Sequence, residues 1–422
     1  MGLNRRRRTL LHLSAGLAAA GLLRAAGAGS PAGAEVKAKV LIVGGGFGGS
    51  SCALALRHLS PAIEVTLVDP DDRYFTCPMS DSVIVGLRSL ESIAVSRRGL
   101  IRAGVRYIRD RVGSIDVQRR RARLAGGAEL QYDRLVMAAG IRCLWGRPEG
   151  YSEAAALQMP HAWQAGPQTE ILAAQLHAMR DGGVFAISVP AGPMRCPPGP
   201  FERASLVAGY LKEHKPRSKV LIFDANNRFP RQDVFLDAWR ALYPGMIDWI
   251  PVVEDGAVIR VEPAKRILHT QHGTHPVDVA NIIPPQAPAL LAAQAGLASE
   301  HGWCPADART FESPLAAKVH VIGDACIADP LPKAASAAHS EAGQCALAIV
   351  AALQAREPPV PQFESVCYSM LARGRALSIH ARFRWVDGAV QPLPAPQAAD
   401  SEQEARNADE WYRTIVRDSF GA

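Results

Sequence analysis

Lys39-Val40-Leu41-Ile42-Val43-Gly44-Gly45-Gly46-Phe47-Gly48-Gly49-Ser50 is the stretch on which the fold turns. The aliphatic, β-branched run Lys39 to Val43 predicts a short buried strand, and Ser50 to Leu59 predicts a helix directly after it. Between them the glycines have GxGxxG spacing. Gly44 permits a tight turn, Gly46 lets a pyrophosphate approach backbone N–H groups, and Gly49 lets the helix pack close on the strand. Alone, that spacing is weak evidence for a bound nucleotide. Its context is strong, because a second strand over Glu64 to Val68 ends at Asp69, twenty residues beyond Gly49. A carboxylate there is placed to accept hydrogen bonds from an adenosine ribose.

Two more markers follow in order. Val136-Met137-Ala138-Ala139-Gly140 reads as the strand at which the chain leaves the nucleotide domain, and Val319-His320-Val321-Ile322-Gly323-Asp324-Ala325 reads as a buried strand running into Gly-Asp. An aspartate so placed binds the ribityl chain in two-dinucleotide flavoproteins, so the three markers together argue for FAD rather than NAD. The segment Lys333 to Leu353 has helical spacing. Its N-terminus is expected to point N–H groups at the flavin pyrimidine, with Lys333 beside it.

Residues 149–280 have the pattern of a second nucleotide domain: a strand over Val184 to Val189, a helix over Phe201 to Lys212, and a strand over Lys219 to Phe223 ending at Asp224. The phosphate loop is missing. Pro190-Ala191-Gly192-Pro193-Met194-Arg195-Cys196-Pro197-Pro198-Gly199-Pro200 stands in its place, and proline has no N–H for a phosphate. A nicotinamide donor is therefore not expected. The helix after this loop presents Cys196, Glu202 and Arg203 instead.

The expected fold class is α/β, with two Rossmann-like dinucleotide-binding domains arranged as in glutathione reductase and a C-terminal α+β region. Residues 35–148 and 281–356 form a discontinuous FAD domain, 149–280 the second domain, and 357–422 the C-terminal part. A chain of 422 residues has room for them. Residues 1–34 read as a signal peptide: Arg5 to Arg8, an apolar run Leu10 to Leu23 too short for a bilayer, and Ala32-Gly33-Ala34 for cleavage. Arg7-Arg8-Thr9-Leu10-Leu11 fits the twin-arginine form, which exports folded proteins. Its removal takes away five arginines and no acids, leaving a formal charge of +2 instead of +7. The basic pI is thus no argument for nucleic acid.

At Arg73-Tyr74-Phe75-Thr76-Cys77-Pro78-Met79-Ser80 and Arg195-Cys196-Pro197-Pro198-Gly199-Pro200-Phe201-Glu202-Arg203-Ala204 the chain resembles the flavoprotein subunit of flavocytochrome c sulfide dehydrogenase. Gly302-Trp303-Cys304-Pro305, Ile322-Gly323-Asp324-Ala325-Cys326, Cys367-Tyr368-Ser369 and Trp411-Tyr412 extend the match, from about residue 38 to 372 and again near 409. The resemblance implies that FAD is covalently bound through Cys77 at its 8α carbon, with Val112 also among the cofactor-binding residues. It implies that Cys196 and Cys367 form a redox-active disulfide beside the flavin. Glu202 is implied as an acid–base group and Trp411 as a wall of the sulfide site. The expected function is oxidation of sulfide, or polysulfide, with electrons passing to a c-type cytochrome subunit in a periplasmic heterodimer.

Cys52, Cys143, Cys304, Cys326 and Cys345 are expected to be structural. No metal-ligand spacing and no CxxCH haem segment occur. Sulfide:quinone oxidoreductase shares the plan but inserts amphipathic C-terminal helices into a membrane; Glu402 to Phe420, charged on several faces, is expected to have little amphipathic character, so no stable membrane insertion is expected. An accessory flavoprotein that binds or reactivates a sulfur-oxidising complex is the other alternative.

Overall fold

Val40, Leu41, Ile42 and Val43 are all buried, as in a strand covered on both faces. In the computed structural model, which describes residues 37–395 and 400–422, this strand, Ala38–Val43, is central to a parallel five-stranded sheet. The order across the sheet is Val319–Val321, Arg134–Met137, Ala38–Val43, Ile63–Asp69 and Arg106–Arg109. The signal-peptide reading lies outside the described residues. Consecutive turns of chain thus place the Gly44 turn, Asp69, Gly140 and Gly323 at the carboxyl edge of one sheet, where open α/β sheets bind ligands. Two helices cover it, Phe47–Leu59 and Ala335–Leu353, packed against one another.

A second parallel sheet has the order Ile247–Ile250, Lys219–Asp224, Val184–Val189 and Val279–Ile282. The helix after its proline loop runs Gly199–His214, two residues beyond the expected span at each end. Pro200 lies in its first turn, where a missing N–H costs nothing. The two sheets carry separate cores, one holding Val40, Leu67, Val136 and Ile349, the other Phe185, Ile187, Phe201 and Ile222.

The C-terminal part is an antiparallel sheet, Gln362–Ala372, Arg375–Val386 and Ala389–Leu393, followed by the helix Glu402–Phe420. Ser401 caps that helix by accepting from the Glu404 N–H at 3.2 Å. The sequence reading of this helix needs correction. It is clearly amphipathic, with Ala405, Ala408, Tyr412, Ile415 and Ser419 buried along one face, three and four residues apart. That face is spent on the protein itself, against Phe47–Leu59 and the hairpin strands. Among the described residues no helix is long and apolar enough to cross a membrane.

Candidate active site

The nucleotide turn is held by contacts that explain its glycines. Gly44 has φ +99°, and a Cβ on it would stand 2.4 Å from the Ala138 carbonyl oxygen. A Cβ on Gly49 would stand 1.9 Å from the Gly44 oxygen, so only glycine lets the helix start here. Gly46 has no such obstruction; its nearest neighbour would be the Tyr74 hydroxyl at 3.7 Å, and its open side faces the cavity. Asp69 is more occupied than expected. Its Oδ1 accepts from Arg97 Nη2 at 2.9 Å and the Asp71 N–H at 3.0 Å, and Oδ2 accepts from the Gly45 N–H at 2.7 Å. One lone pair on Oδ2 is left for a ribose hydroxyl. Arg97, almost fully buried, also donates to the Gly45 and Asp71 carbonyls and so ties the turn to the end of the second strand.

At the other end, Gly140, Gly323 and Asp324 line the same cavity. Glu341, buried in the long helix, accepts from the Gly323 N–H at 2.6 Å; burial, with Asp324 nearby, pushes its carboxyl up to about 7. Burial also raises the Asp324 carboxyl, and Arg195 and Lys333 oppose the shift. The long helix begins at Ala335, and Ala334, Ala335 and Ala338 form the cavity wall there. Two expected cofactor residues sit elsewhere. Lys333 points its ammonium away, donating to the Cys326 carbonyl at 2.6 Å over the Trp303 ring at 4.1 Å, in the wall of a separate cavity. The buried carbonyl and the aromatic face hold it there. Val112 starts the strand Val112–Asp116 with its side chain in the core, so it adds no side chain to the cavity.

Three cysteines from three distant segments converge on this cavity: Cys77, Cys196 and Cys367, with Glu202, Asp81 and Trp411. All eight cysteines are free thiols in this structure, Cys196 and Cys367 included. Cys196 holds a left-handed backbone, φ +50°, with its N–H on the Lys333 carbonyl at 2.8 Å. Its sulfur abuts Gly199, where an added Cβ would be 3.2 Å from it. Cys367 lies in the strand Gln362–Ala372 with Ser336 Oγ at 3.5 Å; Ser336 in turn meets Ser365 Oγ at 3.1 Å. Burial, then Cys367, Glu202, Asp81 and Cys77, pushes the Cys196 thiol well above its usual range. Burial raises Cys367 as well, but the Ser336 and Ser365 hydroxyls pull it back. The two thiols are therefore unequal, and Cys367 is the better leaving group.

Burial and then the neighbouring Asp81 push the Glu202 carboxyl up to about 8, against the opposing Met370 amide, Arg203 and Ser369 hydroxyl. A carboxyl so placed exchanges a proton near neutrality. Arg203, presented by the sequence as a site residue, is instead a buried clamp. It binds Asp81 Oδ1 and Asn281 Oδ1, both at 2.8 Å, and the His161 and Ala162 carbonyls at 3.1 and 2.8 Å. Trp411, on the terminal helix, closes the cavity beside Tyr368, ring centroids 5.7 Å apart.

The cavity measures about 660 Å³ and runs from the Gly44 turn to the cysteines. The unobstructed Gly46, the free lone pair on Asp69, the Gly323-Asp324 turn and the helix start at Ala335 fit FAD lying along it. Fold and site define a flavoprotein oxidoreductase built on two dinucleotide-binding domains.

Comparison with known proteins narrows the class. Residues 38–154 match the pyridine nucleotide-disulphide oxidoreductase model, 169–284 the central domain of the sulfide dehydrogenase [flavocytochrome c] flavoprotein chain, and 359–420 the flavin-binding domain of flavocytochrome c sulphide dehydrogenase. Mitochondrial sulfide:quinone oxidoreductase of Mus musculus is 23% identical over 381 residues, covering 86% of this chain and 81% of the relative. The sulfide dehydrogenase [flavocytochrome c] flavoprotein chain of Chlorobaculum thiosulfatiphilum is 56% identical over 45 residues, 11% of this chain and 94% of the relative's sequence. The sulfide:quinone oxidoreductase structure from Aquifex aeolicus superposes with a TM-score of 0.73 at 19% identity, covering 91% of this chain and 92% of the other. The chain belongs to the sulfide dehydrogenase and sulfide:quinone oxidoreductase family of flavoproteins.

Asp81, Arg97, Arg195 and Glu341 were not singled out from sequence as cofactor or catalytic groups. Arg195 carried a signal, its place beside Cys196 in the unusual loop; the others are brought to the site by helices and turns that no spacing reveals. Of the remaining cysteines, Cys52 and Cys345 meet between the two covering helices, and Cys304 and Cys326 are register partners on adjacent strands. Among the described residues no cluster of His, Cys, Asp or Glu could hold a metal ion.

Proposed function

We propose that this chain oxidises sulfide with FAD held covalently through Cys77, using Cys196 and Cys367 as a redox-active disulfide, and passes the electrons to a c-type cytochrome subunit in the periplasm. The observation that carries this reading is the convergence of the three cysteines and Glu202 on one cavity. Hydrosulfide is a good nucleophile, and attack on Cys196 of the disulfide forms a Cys196 persulfide as the S–S bond breaks and Cys367 leaves as thiolate. Ser336 and the start of the long helix receive that charge. Glu202 takes the proton from H₂S or the persulfide. Trp411 keeps water from the sulfurs. FAD, when bound, accepts two electrons together and releases them singly. A second sulfide carries the sulfur off as polysulfide.

The proline loop of the second domain speaks against a nicotinamide donor. Beside the proline loop, Asp224 is held by its own domain, Oδ2 accepting from Trp249 Nε1 at 2.9 Å and Oδ1 from the Asn226 N–H and Nδ2 at 3.0 and 2.8 Å. Quinone as acceptor is the second reading, favoured by the mouse and Aquifex likenesses, and the buried apolar face of the terminal helix speaks against it.

The test is flavin reduction in the purified full chain. Cys196→Ser and Cys367→Ser are each expected to keep FAD and lose more than about 99% of sulfide-driven bleaching, as expected for a group that acts as one unit with its partner. Full activity in both variants would show that sulfide meets the flavin directly.

A further inference from the structure

Arg195 precedes Cys196 in the chain, but its side chain turns to a different sulfur. Its N–H is fixed on Gln286 Oε1 at 2.9 Å, and Nη2 donates to the Trp163 carbonyl oxygen. That same oxygen lies 4.0 Å from Cys77 Sγ. Guanidinium and thiol therefore converge on one atom in the cavity wall. The nearest carboxylate oxygen, Asp324 Oδ2, is 3.9 Å from Nη1, beyond hydrogen-bond distance. The Arg195 side chain is only 15% exposed, so water screens little of its charge.

We propose that Arg195 promotes the attachment of FAD to Cys77, by holding the negative charge of the sulfur that attacks. The inference rests on the reading of Cys77 as the attachment site. Thiolate is the attacking form of cysteine, and an opposite charge beside it favours that form. Attachment makes one S–C bond between Cys77 Sγ and the flavin 8α carbon and breaks one C–H bond there. The thiol hydrogen and the methyl hydrogen are transferred as two protons and two electrons, and the flavin finishes bound and two electrons reduced. A haem acceptor acting twice, or dioxygen acting once, takes those electrons away. A guanidinium suits this place because it stays charged in a site that water hardly reaches.

The experiment uses the full chain produced in riboflavin-starved cells and then supplied with FAD. Attachment is followed as flavin fluorescence that survives a denaturing gel and as the mass of the Cys77 peptide, each expressed per bound FAD measured by quenching of free FAD. Arg195→Met is expected to slow attachment about a hundred-fold, and Arg195→Lys to restore it to within about ten-fold of wild type. Attachment at the wild-type rate in Arg195→Met overturns the proposal and leaves the Cys77 reading intact. Should the methionine variant not fold, a lysine variant that attaches no FAD overturns it equally, since charge is retained there. A wild-type chain that releases all its FAD on denaturation removes the Cys77 reading, and the proposal with it.

Discussion

Glu202 shows how one residue's surroundings become a pH dependence. Its carboxyl titrates at about 8 in the folded chain against an ordinary value of 4.5. The folded chain therefore holds a proton that the unfolded chain has lost between those values, and the stability tied to it is complete below about pH 4.5 and disappears as pH rises through about 8. Glu202→Gln has no such loss. Its thermal midpoint relative to wild type is expected to climb between about pH 4.5 and 8 and to level off above, measured on the holoprotein, and a constant difference would place the carboxylate in ordinary solvent. In sulfide-driven bleaching the same variant is expected to be slower by about a hundred-fold and to lose the pH dependence centred near 8.

The first strand, turn and helix separate two uses of glycine. Gly46→Ala adds a methyl with no protein neighbour nearer than 3.7 Å and at an ordinary negative φ, so unfolding is expected to be unchanged within about 0.5 kcal/mol while FAD binding collapses. Gly49→Ala drives a methyl into the Gly44 oxygen, forcing helix from strand, and is expected to cost about 2–4 kcal/mol in the chain itself. Denaturant unfolding and flavin content of the two variants, measured together, check this. Equal destabilisation would mean that Gly46 serves packing rather than a ligand. The terminal helix is latched in a similar way: Gly99 leaves room for the Phe420 carbonyl, 2.1 Å from where a Cβ would be, and Arg102 donates to the Gly421 carbonyl at 3.0 Å. His339 Nδ1 and Ser419 Oγ meet at 3.1 Å from the other side.

Across the whole molecule the site exists only where the parts meet. Cys77 comes from the loop after the short strand Arg73–Phe75, Cys196 from the second sheet's first crossover, Cys367 from the C-terminal hairpin and Trp411 from the terminal helix. A helix whose apolar face is already covered has none left for lipid. The chain is expected to stay in the soluble fraction when mixed with vesicles of phosphatidylethanolamine and phosphatidylglycerol, and to reduce a c-type cytochrome on addition of sulfide. Flotation with the vesicles and reduction of quinone alone would overturn the cytochrome reading in favour of quinone.

What the chain's order of residues settles is whatever depends on neighbours in sequence. The Gly44 turn, the strand Val184–Val189 and the helix Gly199–His214 are legible because local spacing decides them. The proline loop announces the loss of a phosphate site for the same reason. Family motifs pointed to Cys77, Cys196 and Cys367, but no spacing could bring three residues so far apart in the chain to one wall. Tertiary packing alone decided that Lys333 turns to Trp303, that Val112 enters the core, and that Arg203 is a clamp rather than a reagent. It also decided that the terminal helix spends its apolar face inward and that Arg195 faces Cys77 rather than Cys196. In each case direction is set by burial and by partners distant in the chain, which the order of residues does not encode locally.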